Sequence, residues 1–411
     1  MPNHNTTLHT GHRTRLILVQ TLSVILASVI CVRCTGLIDI PLPVITALSL
    51  IALAACIEKQ ITLCISLASL VIYYGLTLIM HPEPELPLRA SRFVAFTIGM
   101  LTFSPLLTSP WLRLARERIG KIMFWVLAIM VAASFAIWIY CMATGRQMSD
   151  TTFFYYGFKG VFEKGMTLSP IAGFVSVIVF HNALVSDKST HAAYWTIATV
   201  ISIITCVAAG SRIATVAMIA AITIETLLMR DYLKKHLAGI RSRILATAAI
   251  LSLAALSPLA LQVIVHKNAI GNSHDSMIYS RQEIWATRIK EISSSPLIGI
   301  GYANEYPRPS WKNEPGKLTY LEPGSSWLSL LSYGGIIGAA LFCWFMSATA
   351  KNIYRTRHSR LTPLTISLLT FFLVDGIAEG WLMFAGALMF PLFWLICSIP
   401  FNPDPFSKTT L

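Results

Sequence analysis

Charge is what this chain has least of. Only 12% of its 411 residues are Asp, Glu, Lys or Arg, while 55% are hydrophobic. A soluble domain carries roughly twice that share of charge, so a soluble globular fold is excluded. Metal-ligand spacing is also missing. The eight cysteines are scattered, mostly inside apolar runs. Cys31 and Cys34 form a lone CxxC with no second pair and no nearby His, which argues against a zinc or redox centre. The Gly299–Gly301 pair has no strand before it and no Lys-Ser/Thr after it, so it is not a nucleotide loop. No small-x-small cleavage site follows the first apolar run, Leu16–Val32, so that run is expected to stay as a span rather than act as a signal peptide. The two halves show no repeat of the kind some transporters carry.

What fills the chain instead is a series of apolar runs of about 18–22 residues, each long enough to cross a hydrocarbon core about 30 Å thick. The expected fold is therefore all-α and polytopic, a single bundle over residues 1–411 of about twelve spans. They lie near 16–33, 41–57, 60–80, 91–108, 121–143, 167–186, 191–209, 212–230, 243–265, 325–347, 361–378 and 381–400. Three connections are densely basic: LRLARERIGK (112–121), RDYLKKHLAGIRSR (230–243) and AKNIYRTRHSR (350–360). Placed in the cytoplasm with both termini, they account for the formal charge of +13 as a topology signal near anionic lipid, with no nucleic acid implied. The other face is nearly free of base in its short loops, GLIDIPLP, HPEPELPLR and DGIAEG. It also carries the one long polar connection, residues 266–324, expected to hold short interfacial helices over a site on that outer face.

Outward cations run against the positive-inside bias and need an explanation. Arg212 sits in AAGSRIATVAM at the edge of two spans, where a guanidinium is costly unless hydrated or paired. Two readings stand: snorkelling or pairing with a carboxylate, and a phosphate clamp, for which the rigid donor fork of Arg is suited. Arg281 opens SRQEIWATRIKEISSSPLIGIGY. There Ile284, Trp285, Ile289 and Ile292 suggest an amphipathic helix on the membrane surface, with Arg281, Arg288 and Lys290 as its polar content. Lys164, in GVFEKGMTLSP, is either an interfacial anchor or an anion ligand. Outward carboxylates are few. Asp375 and Glu379 are spaced i, i+4 so that one helix face could show both, and either could act as a base or partner an arginine. The outward histidines His81, His266 and His274 have no metal-ligand spacing.

At these residues the chain resembles the superfamily of O-antigen ligases and O-antigen or exopolysaccharide polymerases. GVFEKGMTLSP is similar to the family's G-x-F-x-x-K-N-x-L, with Gly165 in place of Asn. AAGSRIATVAM is similar to G-S-R-x-A, and SRQEIWATRIKEISSSPLIGIGYAN to G-R-x-E-x-W…P-x-x-G-x-G-Y. SSWLSLLSYGGIIG is similar to H-N-x-x-L-x-x-L-x-x-x-G-x-x-G, with Gly324 where the family has His. The resemblance spans about Gly160 to Gly338.

The resemblance implies a GT-C-like membrane glycosyltransferase of the bacterial inner membrane. It would take a glycan from undecaprenyl diphosphate on the periplasmic face and pass it to a sugar hydroxyl. That acceptor is a lipid-linked repeat unit for a polymerase and lipid A core for a ligase. Membrane lipids surround the bundle, a chain-length regulator is an expected further partner, and no metal or cofactor is implied. Arg212 and Arg281, with Arg288 and Lys164, would hold the diphosphate. With Gly324 in the His position, Glu322 and Glu379 are the base candidates, and polymerase is preferred to ligase. A lipid-linked glycan transporter is the alternative class, and the scarcity of charge at the span centres argues against it.

Overall fold

A computed structural model describes residues 4–58, 60–81, 89–144, 158–163, 165–186, 189–230, 279–306 and 324–401. The described elements are α1 (His4–Arg33), α2 (Leu42–Cys56), β1 (Thr62–Leu63), α3 (Ile65–Met80), α4 (Arg89–Phe103), β2 (Leu107–Thr108) and α5 (Pro110–Thr144). They continue with α6 (Gly165–Val185), α7 (Ser189–Ala208), α8 (Arg212–Leu228), α9 (Tyr279–Ser294), α10 (Ser326–Arg355), α11 (Thr362–Asp375) and α12 (Met389–Ser398), closed by a 3-10 turn at Ile399–Phe401. Among the described residues the architecture is all-α apart from one two-stranded antiparallel ribbon, which pairs Thr62 with Thr108 and Leu63 with Leu107. Among the described residues, five helices are long and apolar enough to cross a membrane: His12–Arg33, Pro110–Thr144, Gly165–Val185, Thr190–Ala208 and Ser326–Arg355. Shorter apolar helices stand at α2, α3, α11 and the final Met389–Phe401 segment. The expected ninth span, 243–265, lies outside the described residues, as do 266–278 and 307–323 of the long connection.

Helix α6 is the hub. It is buried on every face from Leu168 to Val179, the pattern of a helix enclosed by protein rather than one with a single core-facing stripe. It packs along α7 and α8, and α8 packs along α11. An aromatic cluster of Phe372, Trp381, Phe393 and Trp394 fills the adjoining core, with ring centroids 4.9–5.5 Å apart. Between α6 and α8, His181 Nδ1 and Glu225 Oε1 meet at 2.6 Å, both fully buried. A buried carboxylate needs such a partner.

Several boundaries differ from the hydropathy reading. The basic stretch 112–121, expected as a loop, is part of the helix α5. Glu117 and Lys121 pair at i, i+4 on its surface. Arg116 turns inward and donates to the carbonyls of Leu101, Thr102 and Leu107 at 2.8–3.1 Å. It therefore satisfies the free carbonyls at the end of α4. The third span begins only at Ile65, because the residues before it form the ribbon. Helix α10 runs on to Arg355 and includes residues expected in a basic loop. The last span was expected from 381, but helix starts at Met389. Trp381–Leu388 are turns whose apolar side chains are nonetheless in the core.

Helix α10 is broken at Gly335 (φ 58°, ψ −159°), where a Cβ would collide with the Leu297 carbonyl oxygen. The PLIGIGY segment runs into this break. Ile300 N and Gly301 N donate to the carbonyls of Ser332 and Tyr333, while Ile336 N and Ile337 N donate to those of Pro296 and Leu297. The glycine-rich motif is thus a backbone splice that takes over hydrogen bonds the broken helix cannot make.

Candidate functional site

The expected site residues gather where α9, α10 and the turn after α11 meet. Helix α10 opens with Ser325 as its cap, the Oγ accepting from Leu328 N. The next residue, Ser326, organises the corner. Its backbone N donates to the carbonyls of Gly376 and Glu379, at 2.9 and 3.0 Å. Its Oγ donates to the Glu379 carbonyl at 2.7 Å and accepts from Trp381 N and Leu382 N, each at 3.2 Å. This hydroxyl explains why residues after Asp375 need not be helical: their backbone groups are satisfied from α10. Asp375, the fully buried last residue of α11, accepts from Trp381 Nε1 at 3.1 Å through Oδ2. Its Oδ1 is buried with no hydrogen-bond partner among the described residues.

Glu379 faces Arg281 across this corner. Arg281 Nη2 donates to Glu379 Oε1 at 2.9 Å, and the two side chains are 14% and 21% exposed. The pair is therefore largely covered yet reachable from outside. The second turn of α9 is also fastened by Trp285 Nε1, which donates to the Gly324 carbonyl at 3.2 Å. Gly324 has φ 70°, and a Cβ there would collide with Cγ2 of Ile284. The position where the family carries His is thus closed to side chains in this packing.

Arg212 is the first residue of α8, after Gly210 and the cap Ser211. It is half-buried, and its side chain makes no hydrogen bond or ion pair with another described residue. The start of α8 lies beside the end of α11. Phe371 and the Ala214 carbonyl both line the space at Gly173. Arg212 and the Arg281–Glu379 pair therefore border the same end of the bundle. A helix start also presents unpaired N–H groups and positive dipole character.

Arg288 is placed differently. It is fully buried, its Nη1 donating to Glu291 at 2.9 Å and its Nη2 to the Tyr333 hydroxyl at 3.3 Å, with Glu305 at 3.4 Å. Glu291 also accepts from Ser332 Oγ at 2.6 Å and from Tyr306 N at 2.8 Å. Burial works against the Arg288 charge, but Tyr333, Glu305 and Glu291 outweigh it and raise its pKa. The inner face of α9 is therefore Ile284, Arg288 and Glu291. This corrects the expected apolar face, because Ile289 is 57% exposed. Ile284 and Ile289 are five residues apart, about 140° around a helix of 3.6 residues per turn, so they do not share a face. The helix is docked on α10.

Segment 158–163 is anchored by Phe158 N to the Ala208 carbonyl, Val161 N to Ser134 Oγ, and Glu163 N to the Cys34 carbonyl. Burial pushes the Cys34 thiol up to about 12, so it stays protonated there and donates to the Ile30 carbonyl. Lys164 and Glu322 lie outside the described residues. Sequence reasoning passed over Arg89 and Arg92. Arg89 is buried and donates to the His81 and Tyr302 carbonyls; Arg92 feels Tyr333, Tyr302 and Glu305. Their i, i+3 spacing at the start of α4 was the available signal.

The class defined by these features is an all-α membrane protein with a cation-and-carboxylate corner at one end of its helices. Residues 197–343 match the family model for O-antigen ligase, Wzy_C, which supports the superfamily of O-antigen ligases and polymerases. Members of that family are glycosyltransferase-like enzymes. The matched stretch includes Arg212, Arg281 and the α10 break, and ends before Glu379. No curated protein and no solved structure matches the chain.

Proposed function

We propose that this protein is a membrane glycosyltransferase. It would move a glycan from undecaprenyl diphosphate to an acceptor sugar hydroxyl on the periplasmic face of the bacterial inner membrane. The observation that carries the reading is the pairing of a reachable Arg281–Glu379 contact with a half-buried Arg212 that has no described partner, at one end of the bundle. A diphosphate leaves readily once its charge is neutralised. Two guanidiniums that bind more tightly as charge builds on the leaving oxygen would lower the barrier. Arg288 supports this site by holding α9 in place, and Lys164 is a further diphosphate ligand in this reading.

The acceptor hydroxyl needs a proton acceptor, an effect typically worth about 10²–10⁴ in rate. With Gly324 closed to side chains, Glu379 is the described residue suited to it; Glu322 is the other candidate. The absent His favours a polysaccharide polymerase, acting on a second lipid-linked repeat unit. The family description favours the second reading, transfer to lipid A core.

Arg212→Ala and Arg281→Ala are each expected to abolish long-chain glycan while the protein stays in the membrane. Normal ladders in both variants would refute the clamp. Purified protein given a lipid-linked repeat unit, with and without lipid A core, separates the readings. Polymer without core means polymerase; core-dependent product means ligase.

A further inference from the structure

Glu379 cannot serve as a base while it is held by Arg281, and Arg281 cannot grip a diphosphate fully while it is held by Glu379. The contact is direct, at 2.9 Å between Nη2 and Oε1, and it joins residues 98 positions apart. The corner beneath it is stiff. The Glu379 main chain is fixed by Ser326 through both its N–H and its hydroxyl, and the Glu379 N–H donates to the Asp375 carbonyl at 3.1 Å. On the other side, Trp285 ties α9 to Gly324 one turn beyond Arg281. Either partner can exchange its side-chain contact without moving its backbone. Asp375 lies one turn below, fully buried, so a second carboxylate already crowds this end of α11.

We propose that Arg281 exchanges Glu379 for the donor's diphosphate, so that arrival of the donor is what frees the base. This rests on the clamp reading above and adds an order to it. Before the donor binds, Arg281 and Glu379 neutralise each other. When the diphosphate takes Arg281, Glu379 exchanges the Arg281 contact for an anionic neighbour, and a carboxylate in that setting accepts a proton more readily. The acceptor oxygen then attacks the anomeric carbon. The bond from that carbon to the phosphate oxygen breaks, and its electron pair leaves on the diphosphate. The hydroxyl proton passes to Glu379, with no change of oxidation state. A base masked until the leaving group is clamped limits wasteful activation of water in the empty site.

The exchange gives Glu379 an effect on binding opposite to its effect on turnover, which a purely structural residue would not show. The test is equilibrium binding of undecaprenyl diphosphate to the full chain in phosphatidylethanolamine/phosphatidylglycerol nanodiscs, alongside turnover of a lipid-linked repeat unit. Glu379→Gln is expected to bind the probe about fivefold tighter, since a partly exposed ion pair no longer competes. Its turnover is expected to fall about 10²-fold. Glu379→Ala, which also leaves the main-chain contacts with Ser326 in place, is expected to bind tighter as well. Binding by both variants no tighter than wild type overturns the exchange, and turnover of Glu379→Gln within about twofold of wild type overturns its role as base. Arg281→Ala separates this from the parent reading: if it binds the probe as wild type does, the clamp itself fails and the exchange with it.

Discussion

Arg288→Met removes one positive charge from the interior while keeping most of the side-chain volume. The wild-type guanidinium meets Glu291 at 2.9 Å, Glu305 at 3.4 Å and the Tyr333 hydroxyl at 3.3 Å, and its side chain and both carboxylate side chains are fully buried. Arg92 is a further cation near Glu305. With Arg288 gone, Glu291 and Glu305 lose the guanidinium they share. Breaking a buried pair by removing one partner costs about 3–5 kcal/mol, a large part of the roughly 5–15 kcal/mol that holds a domain together. Helix α9 would lose its polar attachment to α10, and Arg281 would lose its position with it. The assay is unfolding of the purified protein in detergent, followed by near-ultraviolet circular dichroism. Combining Arg288→Met with Glu291→Gln and Glu305→Gln should recover most of the loss, because the uncompensated charges are gone. A loss below about 1 kcal/mol for the single variant, the value of an ordinary hydrogen bond, would refute the reasoning. So would a triple variant no more stable than the single one.

Two further substitutions probe the corner itself. Gly324→His should not supply a base: φ 70° and the collision with Ile284 are expected to destabilise the protein by about 1–3 kcal/mol, with no gain in turnover. A more active variant would show that the position is open. Ser326→Ala removes the hydroxyl that serves Glu379, Trp381 and Leu382. It should cost about 2 kcal/mol by leaving buried backbone groups unpaired and lower turnover by loosening Glu379; unchanged melting and rate would show that the turn holds without it.

Much of this molecule is written in one dimension. Scarce charge and long apolar runs make it a helical membrane protein whatever its tertiary detail, because the partition of a segment into hydrocarbon depends on its own residues. The spacing around Arg212 and Arg281 marked the stretch that matches the O-antigen ligase family model. Asp375 and Glu379 were expected to share a helix face; instead the helix ends at the buried Asp375, and Glu379 lies in the turn beyond it, on Arg281.

Hydropathy could not say how backbone groups are satisfied. Trp381–Leu388 is as apolar as a span, yet it is not helical: Ser326, 55 residues away from Trp381, accepts from the N–H groups of Trp381 and Leu382, and Phe384 and Ala387 bond within local turns. Arg288 reads as surface charge because its partners Glu305 and Tyr333 lie 17 and 45 residues further along. The pairing of Arg281 with Glu379 spans 98 residues, and the closure of Gly324 depends on Ile284 of another element. Composition and spacing settle that this is a helical membrane protein and which residue types are on hand. Which arginine is reachable, which is locked away, and which carboxylate it holds were decided by packing between distant segments, because the cost of a buried charge depends on its neighbours in space.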